Sequence, residues 1–182
     1  MEPKRAFHNV ALVGFMGTGK TSVGRLVAQR LQFEFLDTDD CIEAKVGKPI
    51  SQIFAEQGEA VFREHECEVV RSLESRRNTV IATGGGLAAN PGCLASLKTH
   101  ALIVCLWASP ETIWQRVHHQ THRPLLQTDD PELRIRRLLA ERNPFYRQAD
   151  VLLNTERRSP RQIAQIVINQ FRNERSDSPA RP

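Results

Sequence analysis

The chain is expected to be an α/β fold, a parallel sheet with helices on both faces, and three observations predict it. Short apolar runs alternate with stretches of helical periodicity from end to end. The first of these runs stops at a glycine-rich loop, as a strand feeding a helix does. At 182 residues, with 40% hydrophobic and 25% charged residues, the chain has the size and composition of one globular domain.

Residues 8–13 are apolar, partly β-branched and halted by Gly14, which predicts a buried central strand. A helix follows over 19–31, where Val23, Leu26, Val27, Ala28 and Leu31 recur at helical spacing. Residues 33–37 form a second strand with Asp37 at its C-terminal end. Two short helices over 42–46 and 50–55, separated by Gly47 and Pro49, precede a long charged helix over 59–76. Together they make a helical insert at about 39–76. A third strand over 79–82 runs into Thr83-Gly84-Gly85-Gly86, a short helix covers 91–98, and 101–107 is a fourth strand. Ser109-Pro110-Glu111 supplies an N-cap, a proline at the first helical position and a first-turn acid for a helix reaching residue 118. Residues 119–130 lack apolar periodicity, and a loop of that length in a compact domain is expected to be an active-site lid. A helix over 131–147, a fifth strand over 151–153 and a closing helix over 160–171 complete a single domain spanning 1–172. The polar, proline-containing residues 173–182 are expected to be a disordered tail.

Composition narrows the function classes. The longest apolar stretch, 101–108, is far short of the roughly 20 residues that span a bilayer, so no membrane partner is expected. The net charge of +4 and pI near 9.1 invite a nucleic-acid reading. The positive charge is dispersed, however, and no zinc-finger spacing or RNA-binding aromatic pair is present, so small anionic metabolites are the better-matched partners. Cys41, Cys67, Cys93 and Cys105 form no C-x-x-C pair and nothing near the start resembles a secretory signal. They are expected to be packing or surface thiols in a reduced, cytoplasmic compartment. His118, His119 and His122 lack the carboxylate or fixed geometry of a metal site, and Trp107 and Trp114 read as packing residues.

Gly14-Phe15-Met16-Gly17-Thr18-Gly19-Lys20-Thr21 satisfies G-x-x-x-x-G-K-[ST] between an expected strand and an expected helix. Glycines let such a loop turn its backbone N–H groups inward on phosphate oxygens, and the helix N-terminus adds partial positive charge. Lys20 is placed to bridge the β- and γ-phosphates, and the Thr21 hydroxyl to meet Mg²⁺. No N-K-x-D guanine motif occurs, which favours an adenine nucleotide. Asp37-Thr38-Asp39 follows at a strand end, where period-two spacing would aim both carboxylates the same way. The competing reading is a helix cap, most of all for Asp39. The Gly84-Gly85-Gly86 backbone can approach an anionic or hydroxylated ligand without side chains in the way, although a plain flexible turn has the same composition.

GFMGTGKTSVGR, LDTDD, FREHE from Phe62, ATGGG, RPLL from Arg123 and RNPFY from Arg142 together resemble the shikimate kinase family, over about residues 9–171. The resemblance implies a three-layer P-loop kinase fold with strand order 2-3-1-4-5, a mobile lid at about 119–130, and ATP-dependent phosphorylation of the 3-hydroxyl of shikimate. It implies Mg²⁺ as cofactor and a cytoplasmic monomer. By it, Gly17, Thr18, Gly19, Lys20, Thr21, Ser22, Arg116, Arg123 and Pro160 serve ATP; Thr21 and Asp37 serve the metal, Asp37 through water. Asp39, Arg63, Gly84, Gly85, Gly86 and Arg142 hold shikimate, and Lys20, Asp37 and Arg123 carry catalysis. Glu66, three residues beyond Arg63, would orient that guanidinium. The alternatives are a kinase of another hydroxy acid such as gluconate, or a nucleotide-binding regulatory module without turnover.

Overall fold

The computed structural model describes residues 5, 7–119 and 128–176. Its elements run β1 (Asn9–Val13), α1 (Lys20–Leu31), β2 (Glu34–Asp37), α2 (Thr38–Val46), α3 (Ile50–Ser72), β3 (Thr79–Ala82), α4 (Pro91–Lys98), β4 (Ala101–Trp107), α5 (Pro110–Val117), α6 (Pro131–Tyr146), β5 (Val151–Asn154) and α7 (Pro160–Ser176), with a 3-10 turn at Leu87–Ala89 before α4. The five strands pair in parallel in the order β2-β3-β1-β4-β5.

Period-two alternation decides which side chains meet which helices. From the central strands, Ala11, Val13, Ile81, Ile103 and Cys105 face one side, where Ile42 of α2, Ile53 and Val70 of α3, Leu94 of α4, Ile113 of α5 and Leu138 of α6 cover them. Val10, Leu12, Val80, Leu102, Val104 and Leu106 face the other, under Val23 and Val27 of α1 and Ile163, Val167 and Phe171 of α7. Because β1 and β3 are covered on both faces, every residue in them is buried, which is why they read as continuous apolar runs rather than alternating ones. β1 lies between β3 and β4; the chain leaves β1 toward β2 at one edge of the sheet and leaves the neighbouring β3 toward β4 on the other side. A crevice opens at such a reversal, beyond the carboxyl ends of the strands, where open α/β sheets take ligands.

Three boundaries differ from the sequence expectation. α2 starts at Thr38 rather than near residue 42, because Asp37 caps it: its carboxylate accepts from the Asp39 N–H at 3.1 Å. The helices expected over 50–55 and 59–76 meet at the non-helical Gly58 (φ 81°, ψ 173°) within α3, as the expected division has it, but the second ends at Ser72 rather than 76. α7 continues beyond residue 171 to Ser176, so the first residues of the expected tail are helical, while 177–182 lie outside the described residues.

The cysteine expectation is corrected. Cys67 on α3 and Cys93 on α4 form a disulfide, with Cα atoms 5.4 Å apart, whereas Cys41 and Cys105 are free. The separation of 26 residues in sequence left no local signal of this pairing. It also removes the cysteine argument for a reducing compartment. Trp114 packs against the core as expected, but Trp107 is 46% exposed at the end of β4. Among the described residues no helix is long and apolar enough to cross a membrane.

Candidate active site

The loop between β1 and α1 is built around its own backbone. Gly14 sits at φ 132° with the Leu106 carbonyl where a Cβ would lie, so no other residue fits without a shift. Lys20 reaches back over the loop, donating from Nζ to the carbonyls of Gly14 and Phe15 at 2.8 and 2.9 Å. Gly19 caps α1 with no side-chain acceptor and no acid stands in the first turn, which leaves the helix N-terminus to an external anion. The Thr18 hydroxyl is buried and donates to the Phe15 carbonyl at 2.7 Å, stapling the loop, so a role toward ATP falls to its backbone N–H. Thr21 donates to Asp37 Oδ2 at 2.9 Å, so the two oxygen ligands expected for a metal adjoin each other.

These groups line a cleft of about 370 Å³ that includes Gly17, Gly19, Lys20, Thr21, Ser22, Asp37, Asp39 and Arg116. Arg116 bridges the loop and the β5–α7 connection, with Nη1 donating to Gly17 O at 3.1 Å and Thr155 Oγ1 at 3.0 Å and Nη2 to Thr155 O at 3.1 Å. Pro160 is exposed as the first residue of α7 and does not line this cleft. Arg123 lies outside the described residues, as does His122.

A second cavity, about 540 Å³, shares Met16, Asp39 and Gly85 with the first as common wall. Its polar lining is Asp39, Asp40, Glu43, Ser51, Arg63, Glu66, Arg142 and the Gly84-Gly85-Gly86 backbone; Met16, Pro49, Ile50, Phe54 and Phe62 line the rest. The period-two argument for Asp37 and Asp39 does not apply, since Asp39 stands in the first turn of α2, yet both carboxylates reach the crevice. Arg63 is held by Glu66 through Nη1 at 2.6 Å and by Glu59 through Nη2 at 2.6 Å and Nε at 3.2 Å. Burial opposes the Arg63 charge, but the two carboxylates outweigh it and lift the guanidinium above its ordinary range. Glu66 is 1% exposed, and burial raises its carboxyl to about 6 against the pull of Arg63. Its Oε1 has no hydrogen-bond partner among the described residues, a buried acceptor open to a ligand hydroxyl.

The glycine turn comes close to these groups. A Cβ on Gly84 would lie 2.6 Å from both Asp39 Oδ1 and Glu66 Oε1, and one on Gly86 would lie 2.5 Å from Arg63 Nη1. The turn is pinned by the Gly84 N–H donating to Thr38 Oγ1 at 2.9 Å, and by Tyr146 Oη and Arg142 Nη1 donating to Gly85 O at 2.5 and 3.3 Å. Sequence reasoning assigned no role to Thr38, Glu59 or Tyr146. Glu59 stands four residues before Arg63, a helical pairing distance that could have revealed it; Thr38 and Tyr146 act across 46 and 61 residues and carried no such signal.

The model of the family described as shikimate kinase matches residues 16–172. The chain belongs to the shikimate kinase family. A shikimate kinase of Thermodesulfovibrio yellowstonii is 44% identical over 163 residues, 90% of this chain and 94% of that protein. A shikimate kinase of Burkholderia lata is 43% identical over 172 residues, covering 94% of each chain. Among solved structures, shikimate kinase of Acinetobacter baumannii in complex with shikimate superposes with a TM-score of 0.88 at 40% identity, over 92% of this chain and 94% of that one. A gluconokinase of Sinorhizobium meliloti, 18% identical with a TM-score of 0.58 over 95% of this chain and 97% of its own, shares the fold alone. The expected shikimate kinase topology, β2-β3-β1-β4-β5, is the one observed.

Proposed function

We propose that the protein transfers the γ-phosphoryl group of ATP to the 3-hydroxyl of shikimate, releasing ADP and shikimate 3-phosphate for chorismate and aromatic amino-acid biosynthesis. The observation that carries this reading is the junction of two cavities, an anion cradle and a carboxylate- and hydroxyl-binding cleft, through Asp39 and Gly85. Phosphoryl transfer needs little covalent help from protein, so catalysis is positioning plus charge stabilisation.

Backbone N–H groups from Gly17 to Ser22 and Lys20 Nζ take the phosphates, with Arg116 and the loop ending at Pro160 on the base side. The Thr21 hydroxyl and Asp37 carboxylate, hard oxygen donors 2.9 Å apart, suit Mg²⁺ completed by phosphate oxygens and water. That ion would supply neutralisation of charge on the transferring group. Among the described residues no group of three or more His, Cys, Asp or Glu gathers around a point, so the metal would arrive with its nucleotide. Arg63 and Arg142 take the shikimate carboxylate, and Asp39 with the Glu66 Oε1 acceptor takes ring hydroxyls. The Gly84, Gly85 and Gly86 backbone lies alongside, and the apolar wall of Ile50, Phe54 and Phe62 faces the carbon skeleton. Asp37 orients the attacking hydroxyl, and Arg123 stabilises the phosphoryl charge as an arginine supplied in cis from the lid. In this reading the protein is a cytoplasmic monomer acting on small molecules and not on nucleic acid or membrane.

ADP release is the direct test, measured with Mg-ATP alone, with shikimate and with gluconate. Strong stimulation by shikimate only, together with a product heavier by one phosphoryl group, is the expected outcome. Equal or absent stimulation from a folded, ATP-binding sample would overturn the acceptor assignment.

A further inference from the structure

The connection from β5 to α7 is held to β4 through Thr155, whose N–H and hydroxyl donate to the Trp107 carbonyl at 2.9 and 3.3 Å, and to both ends of α5, of which only one touches the nucleotide cleft. Arg116, near the end of α5, donates to Thr155 and to Gly17, as described above. At the other end of α5, Glu156 reaches across to the helix start. Its Oε1 accepts from the Ser109 N–H at 2.7 Å and from Thr112 Oγ1 at 3.0 Å. Ser109 is itself the N-cap of α5, its Oγ accepting from the Thr112 N–H at 3.3 Å. Asn154 closes the arrangement by accepting from the Glu156 N–H at 2.6 Å and donating to Oε2 at 3.4 Å. A carboxylate is favoured at a helix N-terminus, where backbone N–H groups lack partners. These hydrogen bonds from Ser109 and Thr112 pull the Glu156 carboxyl down to about 2, so it is charged at every working pH.

We propose that Glu156 is a positioning residue for the nucleotide, acting through Thr155 and Arg116 without touching the ligand. The inference rests on the reading that the base lies between Arg116 and the 155–160 loop. Three features support it. Thr155, between Asn154 and Glu156, is buried and presents both its hydroxyl and its carbonyl to Arg116. Arg157, the next residue, adopts a left-handed conformation (φ 55°), which a non-glycine residue holds only when its neighbours over-determine it. The connection meets both ends of the eight-residue α5, through Glu156 at Ser109 and Thr112 and through Thr155 at Arg116, so releasing Glu156 leaves Thr155 held beside Arg116 by the Trp107 carbonyl alone and loosens the alignment of that guanidinium. Glu156 lines neither cavity, so its removal leaves the phosphate cradle and the shikimate cleft intact.

The experiment compares Glu156→Gln, Glu156→Ala and Arg116→Ala with the parent enzyme by initial rates, with ATP and shikimate varied in turn. Inhibition by inorganic tripolyphosphate, which has phosphates but no base, is measured alongside. The expected result is a KM for ATP raised about tenfold in Glu156→Ala and less in Glu156→Gln, with kcat, the KM for shikimate and tripolyphosphate inhibition within about twofold of the parent. Arg116→Ala raises the KM for ATP at least as far. If Arg116→Ala shifts that constant and both Glu156 variants leave it unchanged, the role of Glu156 is overturned while the base site stands. An unchanged KM for ATP in Arg116→Ala overturns the base site and the inference with it. If the Glu156 variants lose tripolyphosphate inhibition and shikimate affinity in parallel with ATP, the residue is only structural; Glu156→Gln, close to isosteric, keeps the comparison available should the alanine variant fold poorly.

Discussion

Burial lifts the Glu66 carboxyl from its ordinary 4.5 to about 6, with Asp39 adding to the rise and Arg63 and Arg142 opposing it. The folded protein therefore binds the proton more tightly than the unfolded chain does. Stability from this group is fully present below pH 4.5 and is lost as pH rises through about 6, a change of about 2 kcal/mol. Urea denaturation between pH 4.5 and 7 should show that slope, and Glu66→Gln, which cannot titrate, should flatten it by a similar amount. The cost is tolerated because the ionised carboxylate holds Arg63 for the substrate. Gly84→Ala makes a second expectation at this scale. Its methyl would fall 2.6 Å from oxygens of both Asp39 and Glu66, so kcat/KM for shikimate should drop about tenfold or more while the KM for ATP holds. A variant with unchanged shikimate kinetics would show that those oxygens do not position the substrate. Sequence spacing already pointed to Arg63 with Glu66, because residues three apart on a helix are neighbours. It could not show the approach of Gly84 to Glu66 and Asp39, which follows from packing between segments distant in the chain.

Asp37 illustrates how an element's start places a site. As the last residue of β2 and the cap of α2 it satisfies a helix N–H with Oδ1 while Oδ2 accepts from Thr21, so one carboxylate joins strand, helix and phosphate loop. The kink in α3 works similarly. Gly58 occupies a conformation (φ 81°, ψ 173°) that is essentially restricted to glycine, five residues before Arg63. Gly58→Ala should cost about 1–3 kcal/mol in urea denaturation and weaken shikimate binding by calorimetry, leaving ATP binding as it is. If stability and shikimate affinity are both retained, the kink does not set the aim of Arg63. In sequence one helix ends at residue 55 and the next begins at 59, so the break was legible, but Gly58 was not named as its cause. The early start of α2 was missed, because an aspartate at a strand end and one at a helix cap are the same residue until the backbone chooses.

The Cys67–Cys93 disulfide ties the helix that carries Arg63 and Glu66 to the helix following the glycine turn, closing a loop across 26 residues. In the chain-entropy picture that closure stabilises by about 3–4 kcal/mol. Calorimetric melting should therefore give a Tm about 10 °C lower with dithiothreitol than without it, and no such difference for Cys93→Ser. Equal Tm values in the parent protein would show that the pair stays open in solution. By itself, the sequence determined the order of strands and helices, the phosphate loop after β1 and the alternative readings of the acidic and glycine clusters. Those are properties of periodicity and turn chemistry within a few residues, and chain neighbours suffice to encode them. The strand order was legible only through the family resemblance. That Asp39, Arg63, Gly84 and Arg142 share one site was likewise legible only through the resemblance; the tertiary structure alone decided that Thr18 turns inward, that two distant cysteines meet and that Glu156 reaches α5. Such contacts depend on how the sheet stacks segments tens of residues apart, and no local pattern of side chains records that distance.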